Sequence, residues 1–233
     1  MKCKTTSTSR KSVPFRPEAV FFDLDGTLVD SAPDIRICLF DALREQGLDA
    51  DGLSERFRIG PPLDIMLRAM IPGLSEEQLA SVVTAFRRRY DQSDYPLTVP
   101  FEGIDLLLSE LASAGVPLYV ATNKPVFAST RIVNKQGWHC FDSILSPDSF
   151  PGERLTKASL LLRAARERGY CHEKCLMVGD LPEDVDAARE AGFASVAVLW
   201  GYGDVVALSQ CGADWVVSHS SELRAKGDWL SYV

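Results

Sequence analysis

Short apolar runs and stretches with helical periodicity alternate along most of this chain. The first apolar run, Ala19 to Phe22, fits a buried strand, and Gly26 after it is a strong stop signal. From residue 101 onward further apolar runs alternate with amphipathic stretches, several of which end at glycine. This pattern predicts strands at 117–121, 143–145, 175–178, 195–199 and 215–217, and helices at 104–114, 126–136, 157–168, 182–191 and 205–210. Such alternation builds a parallel sheet with helices on both faces, so we expect an α/β fold.

A second pattern, helical throughout, occupies the chain between the first strand and this alternating region. Apolar residues fall at helical spacing after Pro33, and Ser75 followed by Gln78 forms a capping-box pattern at the start of a long helix. No stretch between Asp30 and Val99 is typical of a strand. We therefore predict a core of residues 19–30 and 99–233, an inserted helical domain of residues 31–98, and a flexible tail of residues 1–18.

Composition and charge narrow the function classes. The 233 residues carry a net charge of −7 and no basic face, which argues against a protein that binds nucleic acid polymers. The apolar fraction of 46% is ordinary for a folded protein, and no apolar run approaches the ~20 residues that span a bilayer. The tail lacks the apolar segment of a secretory signal, and the six scattered cysteines are typical of a reduced, cytoplasmic protein. Monomer and homodimer both stay open.

The candidate chemistry begins at the end of the first strand. Asp23 and Asp25 lie where open α/β sheets have their active-site crevice, and residues two apart in an extended chain point the same way. Two carboxylates held so close either raise the pKa of one of them or recruit a cation. Either outcome indicates a functional site rather than a simple polar turn.

Residues 23–30, Asp-Leu-Asp-Gly-Thr-Leu-Val-Asp, resemble the first motif of the haloacid dehalogenase-like hydrolases. The resemblance implies a Rossmann-like core in which Asp23 attacks phosphorus and Asp25 handles the proton of the leaving group. It also implies that the helical insert is a type 1 cap, which closes over the carboxylates and excludes water. The resemblance covers the chain from Val20 to about Leu223.

A second segment matches the next motif of that family. Residues 119–125, Tyr-Val-Ala-Thr-Asn-Lys-Pro, end a predicted strand just before a helix, where the backbone N–H groups of residues 122 and 123 offer an anion site. The resemblance implies that the Thr122 hydroxyl and the Asn123 amide bind the phosphoryl group.

The third motif contributes a lysine. Lys157 stands at the start of a predicted helix, in the position of the lysine that neutralises charge between nucleophile and phosphate in the family. Ala158 follows it, where many relatives have proline. Lys124 and Lys174 are alternatives for this role, but order and spacing favour Lys157.

The fourth motif is resembled by the segment Gly-Asp-Leu-Pro-Glu-Asp-Val-Asp-Ala-Ala-Arg-Glu-Ala-Gly, which begins at Gly179. The resemblance implies that Asp180 binds Mg²⁺ and that Asp184 is a neighbouring carboxylate behind the ligands. Hard oxygen ligands suit Mg²⁺. The metal set implied is the carboxylates of Asp23 and Asp180 together with the backbone carbonyl oxygen of Asp25.

Substrate recognition is expected from the insert. Residues 57–63 are predicted to overhang the site, with Arg56 or Arg58 meeting a carboxylate or a second phosphate of the substrate and Gly60 beside them. Leu181 in the fourth motif replaces a small polar residue that is common in relatives. We therefore expect one hydrogen bond to the acidic cluster to be missing.

The four motifs in order imply a Mg²⁺-dependent phosphatase that hydrolyses a small phosphate monoester, similar to phosphoglycolate, through a phospho-aspartyl intermediate. Residues 30–35 and the Gly-x-Gly turn at 201–203 resemble phosphoglycolate phosphatases, whereas residues 124–128 resemble 5′-nucleotidase-like members. A 5′-nucleotidase-like phosphatase and a phosphomutase stay open as alternatives. A dehalogenase is disfavoured because those relatives lack an equivalent of Asp25, and a non-enzymatic scaffold is disfavoured because every catalytic carboxylate is present.

Overall fold

The computed structural model describes residues 15–50, 52–150, 152–153 and 155–223. Its strands are β1 (Ala19–Phe22), β2 (Val29–Asp30), β3 (Val99–Pro100), β4 (Leu118–Ala121), β5 (Phe141–Leu145), β6 (Cys175–Gly179), β7 (Ala194–Val198) and β8 (Trp215–Val217). Six of them form a parallel sheet in the order β5-β4-β1-β6-β7-β8, and β2 pairs antiparallel with β3. The expected α/β fold is therefore confirmed.

Helices fill the intervals between the strands. They are α1 (Ala32–Glu45), α2 (Leu63–Met70), α3 (Glu76–Gln92), α4 (Ile104–Ser113), α5 (Val126–Lys135), α6 (Lys157–Arg168), α7 (Pro182–Ala191) and α8 (Val205–Gln210). Short 3₁₀ turns lie at Leu53–Arg56, His172–Lys174 and Ser220–Leu223. The predicted boundaries agree with these to within about two residues, which is the usual uncertainty at the ends of elements.

Burial on both sides explains the uniformly apolar sequence of β1. Val20 and Phe22 belong to the apolar core on one face of the sheet, with α4 and α5, while Phe21 belongs to the core on the other face, with α6 and α7. Successive side chains of a strand point in opposite directions, so a strand at the centre of the sheet needs apolar residues at every position. Because β4 and β6 flank β1, the carboxyl ends of these three strands share one edge of the sheet.

The helices α1, α2 and α3 form the cap, which has an apolar core of its own. That core includes Leu39, Phe40, Leu43, Met66, Leu67, Met70, Leu79 and Val82. The predicted capping box is present, with the Ser75 hydroxyl accepting from the Gln78 N–H. Both connections between cap and sheet pass through the ribbon of β2 and β3. This ribbon was not predicted because two residues per strand carry no readable periodicity.

The structure describes only part of each terminal segment of the chain. Residues 1–14 of the predicted tail and residues 224–233 of the predicted core lie outside the described residues. Phe15 packs against Trp215 with ring centroids 5.3 Å apart, and the Glu18 N–H donates to the Lys174 carbonyl at 2.8 Å. Among the described helices, none combines the length and apolar character needed to cross a membrane. The described cysteines, Cys38, Cys140, Cys171, Cys175 and Cys211, are free thiols.

Candidate active site

The predicted catalytic side chains converge at the carboxyl edge of the sheet. Asp23 and Asp25 follow β1, Thr122 follows β4, and Asp180 follows β6, so three adjacent strands deliver them to one place. Lys157 is the first residue of α6. These side chains are all buried or nearly so.

An acidic cluster lies at the centre of this convergence. Asp23, Asp180 and Asp184 each place a carboxylate oxygen within 4.8 Å of the others. The Lys157 ammonium is 2.9 Å from Asp23 Oδ1 and 2.5 Å from Asp184 Oδ1. Three buried carboxylates therefore share one buried cation. Asp184, which the sequence predicts to lie behind the metal ligands, belongs to the cluster as closely as the other two.

Burial and mutual repulsion shift the pKa values of this cluster. Burial raises the pKa of Asp23; Asp184 and Asp180 add to the rise, and Lys157 opposes it. Burial also raises the pKa of Asp180 to about 6, with repulsion from Asp184 added and the hydrogen bonds of Asp180 opposing. Burial alone would lower the pKa of Lys157, but the attraction of Asp184 and Asp23 outweighs it and raises that pKa. The arrangement therefore carries excess negative charge that favours a further cation.

The cluster fits a divalent metal by charge and by donor chemistry. Its candidate metal ligands are carboxylate oxygens, which Mg²⁺ prefers, and one lysine neutralises only part of their charge. The Asp25 carboxylate lies outside the cluster. A contribution of Asp25 through its backbone carbonyl oxygen stays a prediction.

The loop after β7 holds Asp180 in place. The Tyr202 N–H donates to Asp180 Oδ2 at 2.8 Å, and the Thr27 hydroxyl donates to Asp180 Oδ1 at 2.9 Å. A Cβ atom on Gly201 would lie 2.2 Å from the Gly26 carbonyl oxygen, so this close approach requires glycine. The Gly-x-Gly turn therefore contributes a hydrogen bond to the acidic cluster. The sequence analysis did not predict this contact of Tyr202.

Asp25 has a separate set of partners. The Ser31 hydroxyl donates to Asp25 Oδ1 at 2.5 Å, and the Lys124 ammonium lies 3.1 Å from the same oxygen. Lys124 also donates to the hydroxyl of Tyr90 on α3 at 2.8 Å. Lys124 is therefore a second lysine of the site, whereas Lys174 pairs with Glu18 at the surface. The sequence feature that could have identified Lys124 as a site residue is its position directly after Thr122 and Asn123, the predicted phosphate-binding residues.

The predicted phosphate loop departs in one detail from the expected anion site. The Thr122 N–H donates to the Leu145 carbonyl at 3.0 Å, so Thr122 offers its hydroxyl and not its amide. That hydroxyl accepts from the Lys124 N–H at 3.1 Å. At the start of α5, the Val126 N–H donates to Asp148 Oδ1 at 3.0 Å. Of the two predicted amides, only that of Asn123 stays a candidate for phosphate.

The cap meets the core at Gly60. The Asn123 side-chain amide donates to the Gly60 carbonyl at 3.1 Å. A Cβ atom on Gly60 would lie 2.0 Å from Leu181 Cδ1, so the side chain of Leu181 packs directly against this glycine. Leu181 stands where relatives commonly have a small polar residue, and this packing role was not predicted from the sequence. It supplies an apolar contact between the fourth motif and the cap.

Arg56 and Arg58 do not turn toward the site. Arg56 Nη1 donates to the Met70 carbonyl at 3.3 Å, within the cap. Arg58 Nη1 donates to the carbonyl groups of Glu55 and Phe57, at 2.9 and 2.8 Å. Neither is among the residues that line the cavity between cap and core, so their placement over the substrate stays a prediction that this geometry does not support. In each arginine, Nη1 donates instead to backbone carbonyl groups of the cap.

A cavity of about 530 Å³ separates the cap from the carboxyl edge of the sheet. Its floor contains Asp23, Asp25, Thr122 and Asn123, and Gly60 lies on its roof. A substrate that occupies this cavity would have its phosphoryl group beside the acidic cluster and the rest of its body against the cap.

Replacing Gly60 with alanine is expected to raise KM about tenfold with a smaller change in kcat. The added methyl group collides with Leu181, and at φ +125° the backbone of Gly60 is one that other residues rarely adopt. The collision displaces the loop that Asn123 holds over the cavity. Steady-state kinetics with p-nitrophenyl phosphate measure the effect.

Gly73→Ala is the matched control for this prediction. Gly73 also lies in the cap with φ +86°, but its added Cβ would meet nothing within 4 Å. A rise in KM for Gly73→Ala equal to that for Gly60→Ala would show that general strain in the cap, and not the contact with Leu181, causes the effect.

Comparison with known proteins agrees with this geometry. A family model described as haloacid dehalogenase-like hydrolase matches residues 20–198. A phosphoglycolate phosphatase of Xanthomonas campestris pv. campestris is 35% identical over 216 residues, which cover 91% of this chain and 97% of that protein. The tyrosine-protein kinase PtkA of Mycobacterium tuberculosis is 37% identical over 188 residues, which cover 80% of this chain but 64% of that protein. The crystal structure of a predicted phosphoglycolate phosphatase of Haemophilus somnus matches with a TM-score of 0.79 and 26% identity, covering 88% of this chain and 95% of the other.

Proposed function

This chain belongs to the haloacid dehalogenase-like hydrolase family and is a phosphatase, and we propose that it hydrolyses a small phosphate monoester through a phospho-aspartyl intermediate on Asp23. One observation carries the proposal. A buried carboxylate, Asp23, is paired with Lys157 at 2.9 Å on the floor of a cavity that also contains Asp25 and Thr122. The proposed nucleophile, acid–base group and hydroxyl donor therefore line one space, and a cation is paired with the nucleophile.

The proposed reaction has two steps. An oxygen of Asp23 attacks phosphorus and forms a new P–O bond, while the bond from phosphorus to the leaving oxygen breaks. Asp25 donates a proton to that leaving oxygen. Asp25 then takes a proton from water, whose oxygen attacks phosphorus and releases Asp23 and inorganic phosphate.

The remaining residues hold the transferring group. The Thr122 hydroxyl, the Asn123 amide and the Lys157 ammonium bind the equatorial oxygens, since positioning and charge neutralisation supply most of the catalysis in phosphoryl transfer. Mg²⁺ would be held by Asp23, Asp180 and Asp184, with the Asp25 carbonyl oxygen, and when bound it reduces the repulsion between carboxylate and phosphate. The charge excess of the acidic cluster supports this assignment.

Ser31 and Lys124 position the acid–base group. Both contacts fall on Oδ1 of Asp25, so they orient the carboxyl group and leave its other oxygen to exchange the proton. Lys124 is tied to Tyr90 of the cap, so the placement of Asp25 depends on a closed cap. Closure also excludes water during the first step.

2-Phosphoglycolate is the reference substrate for this proposal because the Xanthomonas relative bears the name phosphoglycolate phosphatase. A 5′-nucleotidase-like phosphatase and a phosphomutase would use the same core residues and stay alternatives. The free thiols among the described residues are consistent with the proposed cytoplasmic location.

The metal requirement is tested with p-nitrophenyl phosphate. We expect release of p-nitrophenol with Mg²⁺, a loss of about 100-fold or more in EDTA, and recovery when Mg²⁺ is returned, because the ion offsets the charge of three carboxylates. Mg²⁺ is also expected to raise Tm, since it binds the folded cluster and not the unfolded chain. Equal rates with Mg²⁺ and with EDTA would exclude the metal requirement, and no release under either condition would contradict the proposed reaction.

A further inference from the structure

The cavity above Asp23 has an apolar wall that includes aromatic side chains. The helix α3 turns Val83, Phe86 and Tyr90 toward it, at positions three and four residues apart that share one helix face. Phe86 stacks on Tyr90 with ring centroids 5.2 Å apart and planes inclined by 13°. Further apolar residues in the lining include Ile35, Ile59, Pro61, Pro62, Met66 and Phe127.

An aromatic side chain is also exposed at the mouth of the cavity. The Phe127 side chain is 55% exposed, which is unusual for a large aromatic group. It belongs to the first turn of α5, a few residues after the predicted phosphate-binding loop. Phe86 on the cap and Phe127 on the core thus both contribute aromatic surface to the same space.

The charges around the cavity disfavour an anionic leaving group. Asp64, Asp91 and Asp148 line it in addition to Asp23 and Asp25, whereas its cations are Lys124 and Arg87. Lys124 is engaged by Asp25, and Arg87 is close enough to Asp91 to oppose the rise in pKa that burial causes there. Within the described lining, a carboxylate on the leaving group would meet more negative than positive charge.

The volume also exceeds what a two-carbon acid needs. About 530 Å³ falls in the range of ~300–1,000 Å³ that is usual for pockets of drug-sized ligands. A phosphoryl group at the floor would leave most of this space to the rest of the substrate.

We propose that the leaving group of the substrate is an uncharged alcohol with an aromatic ring, which packs against Phe86 and Phe127 while its phosphoryl group lies at Asp23. This inference rests on the proposed function and deepens it by naming the substrate class. The ring is favoured because aromatic and proline side chains offer flat apolar surfaces on both sides of it.

The test compares four primary alkyl phosphates: benzyl phosphate, cyclohexylmethyl phosphate, ethyl phosphate and 2-phosphoglycolate. We expect kcat/KM for benzyl phosphate to exceed that for ethyl phosphate and 2-phosphoglycolate by about tenfold or more, and that for cyclohexylmethyl phosphate by about threefold. A value for 2-phosphoglycolate or ethyl phosphate equal to that for benzyl phosphate would overturn the inference while leaving the phosphatase reaction intact.

Substitutions locate the preference in the cavity. Phe86→Ala and, independently, Phe127→Ala are expected to reduce the ratio of benzyl to ethyl turnover to about threefold or less, and Phe86→Leu to an intermediate ratio. Val206→Ala, at a 63% exposed position on α8, is the control and should keep the wild-type ratio. An unchanged ratio in both phenylalanine variants would contradict the proposed contacts.

A binding measurement separates this inference from the reaction. Isothermal titration of the wild-type protein with benzylphosphonate and ethylphosphonate needs no turnover, and we expect the benzyl compound to bind about tenfold more tightly. Tighter binding of benzylphosphonate without hydrolysis of any of the four esters would overturn the proposed reaction but support the aromatic site. Equal binding of the two phosphonates would overturn the aromatic site.

Discussion

Asp23→Asn is expected to lower kcat for p-nitrophenyl phosphate by about 10⁴-fold, and to leave the folded protein at least as stable as the wild type. Asparagine keeps the shape of the side chain but is not nucleophilic, so no phospho-aspartyl intermediate forms. It also removes one of three buried carboxylates that share Lys157, which reduces repulsion in the absence of metal. Phosphate release measures the first effect, and a thermal melt in EDTA measures the second.

Asp186→Asn is the control for this substitution. Asp186 lies on α7, close in sequence to Asp184, but its side chain is 66% exposed and pairs with Arg189. Its replacement should leave both kcat and Tm near the wild-type values, because exposed ion pairs contribute little. Turnover by Asp23→Asn at the level of Asp186→Asn would contradict the assignment of Asp23 as nucleophile.

Lys157→Met is expected to lower the free energy of unfolding by about 3–5 kcal/mol in EDTA, and kcat by about 100-fold or more with Mg²⁺. Methionine fills the space of the side chain but leaves Asp23, Asp180 and Asp184 without their buried cation. Mg²⁺ should restore part of the stability, because it supplies the missing positive charge. Urea unfolding with and without Mg²⁺ measures both quantities.

Lys174→Met provides the comparison. Lys174 pairs with Glu18 at 3.1 Å, but its side chain is 59% exposed, so its replacement should cost less than about 1 kcal/mol and leave kcat unchanged. An equal free energy of unfolding for Lys157→Met and Lys174→Met in EDTA would contradict this prediction. It would show that the acidic cluster does not carry the excess negative charge inferred from its geometry.

Local pattern was sufficient for the sheet and for its carboxylates. The four consecutive buried residues of β1 could be recognised because a central strand is apolar on both faces, and Asp23 directly after it could only lie at the carboxyl edge. The same argument located Thr122 after β4 and Asp180 after β6. Their positions followed from neighbours in the chain and the general rules of parallel sheets, whereas the roles expected of them came from the resemblance to a known family.

Local sequence pattern could not predict contacts between side chains that are far apart in the chain. Lys157 contacts Asp23 across 134 residues, and Tyr202 contacts Asp180 through a loop whose glycines admit the close approach. Sequence order favoured Lys157 over Lys124, yet folding brings Lys124 to Asp25 as well. The pairing of Lys124 with Asp25 could not be assigned without the distances.

In the cap, too, the sequence predicted the helices but not the contacts of individual side chains. Its three helices followed from the periodicity of apolar residues, but the direction of its arginines did not, because nearby carbonyl groups compete with a substrate for Arg56 and Arg58. The contact between Gly60 and Leu181 exists only once cap and core have closed on each other. By itself the sequence determined the architecture and placed the candidate carboxylates at the ends of strands, because those depend on local burial and on where each strand stops. Only the tertiary structure decided which charges meet and which surfaces face the cavity, because those depend on contacts between segments far apart in the chain.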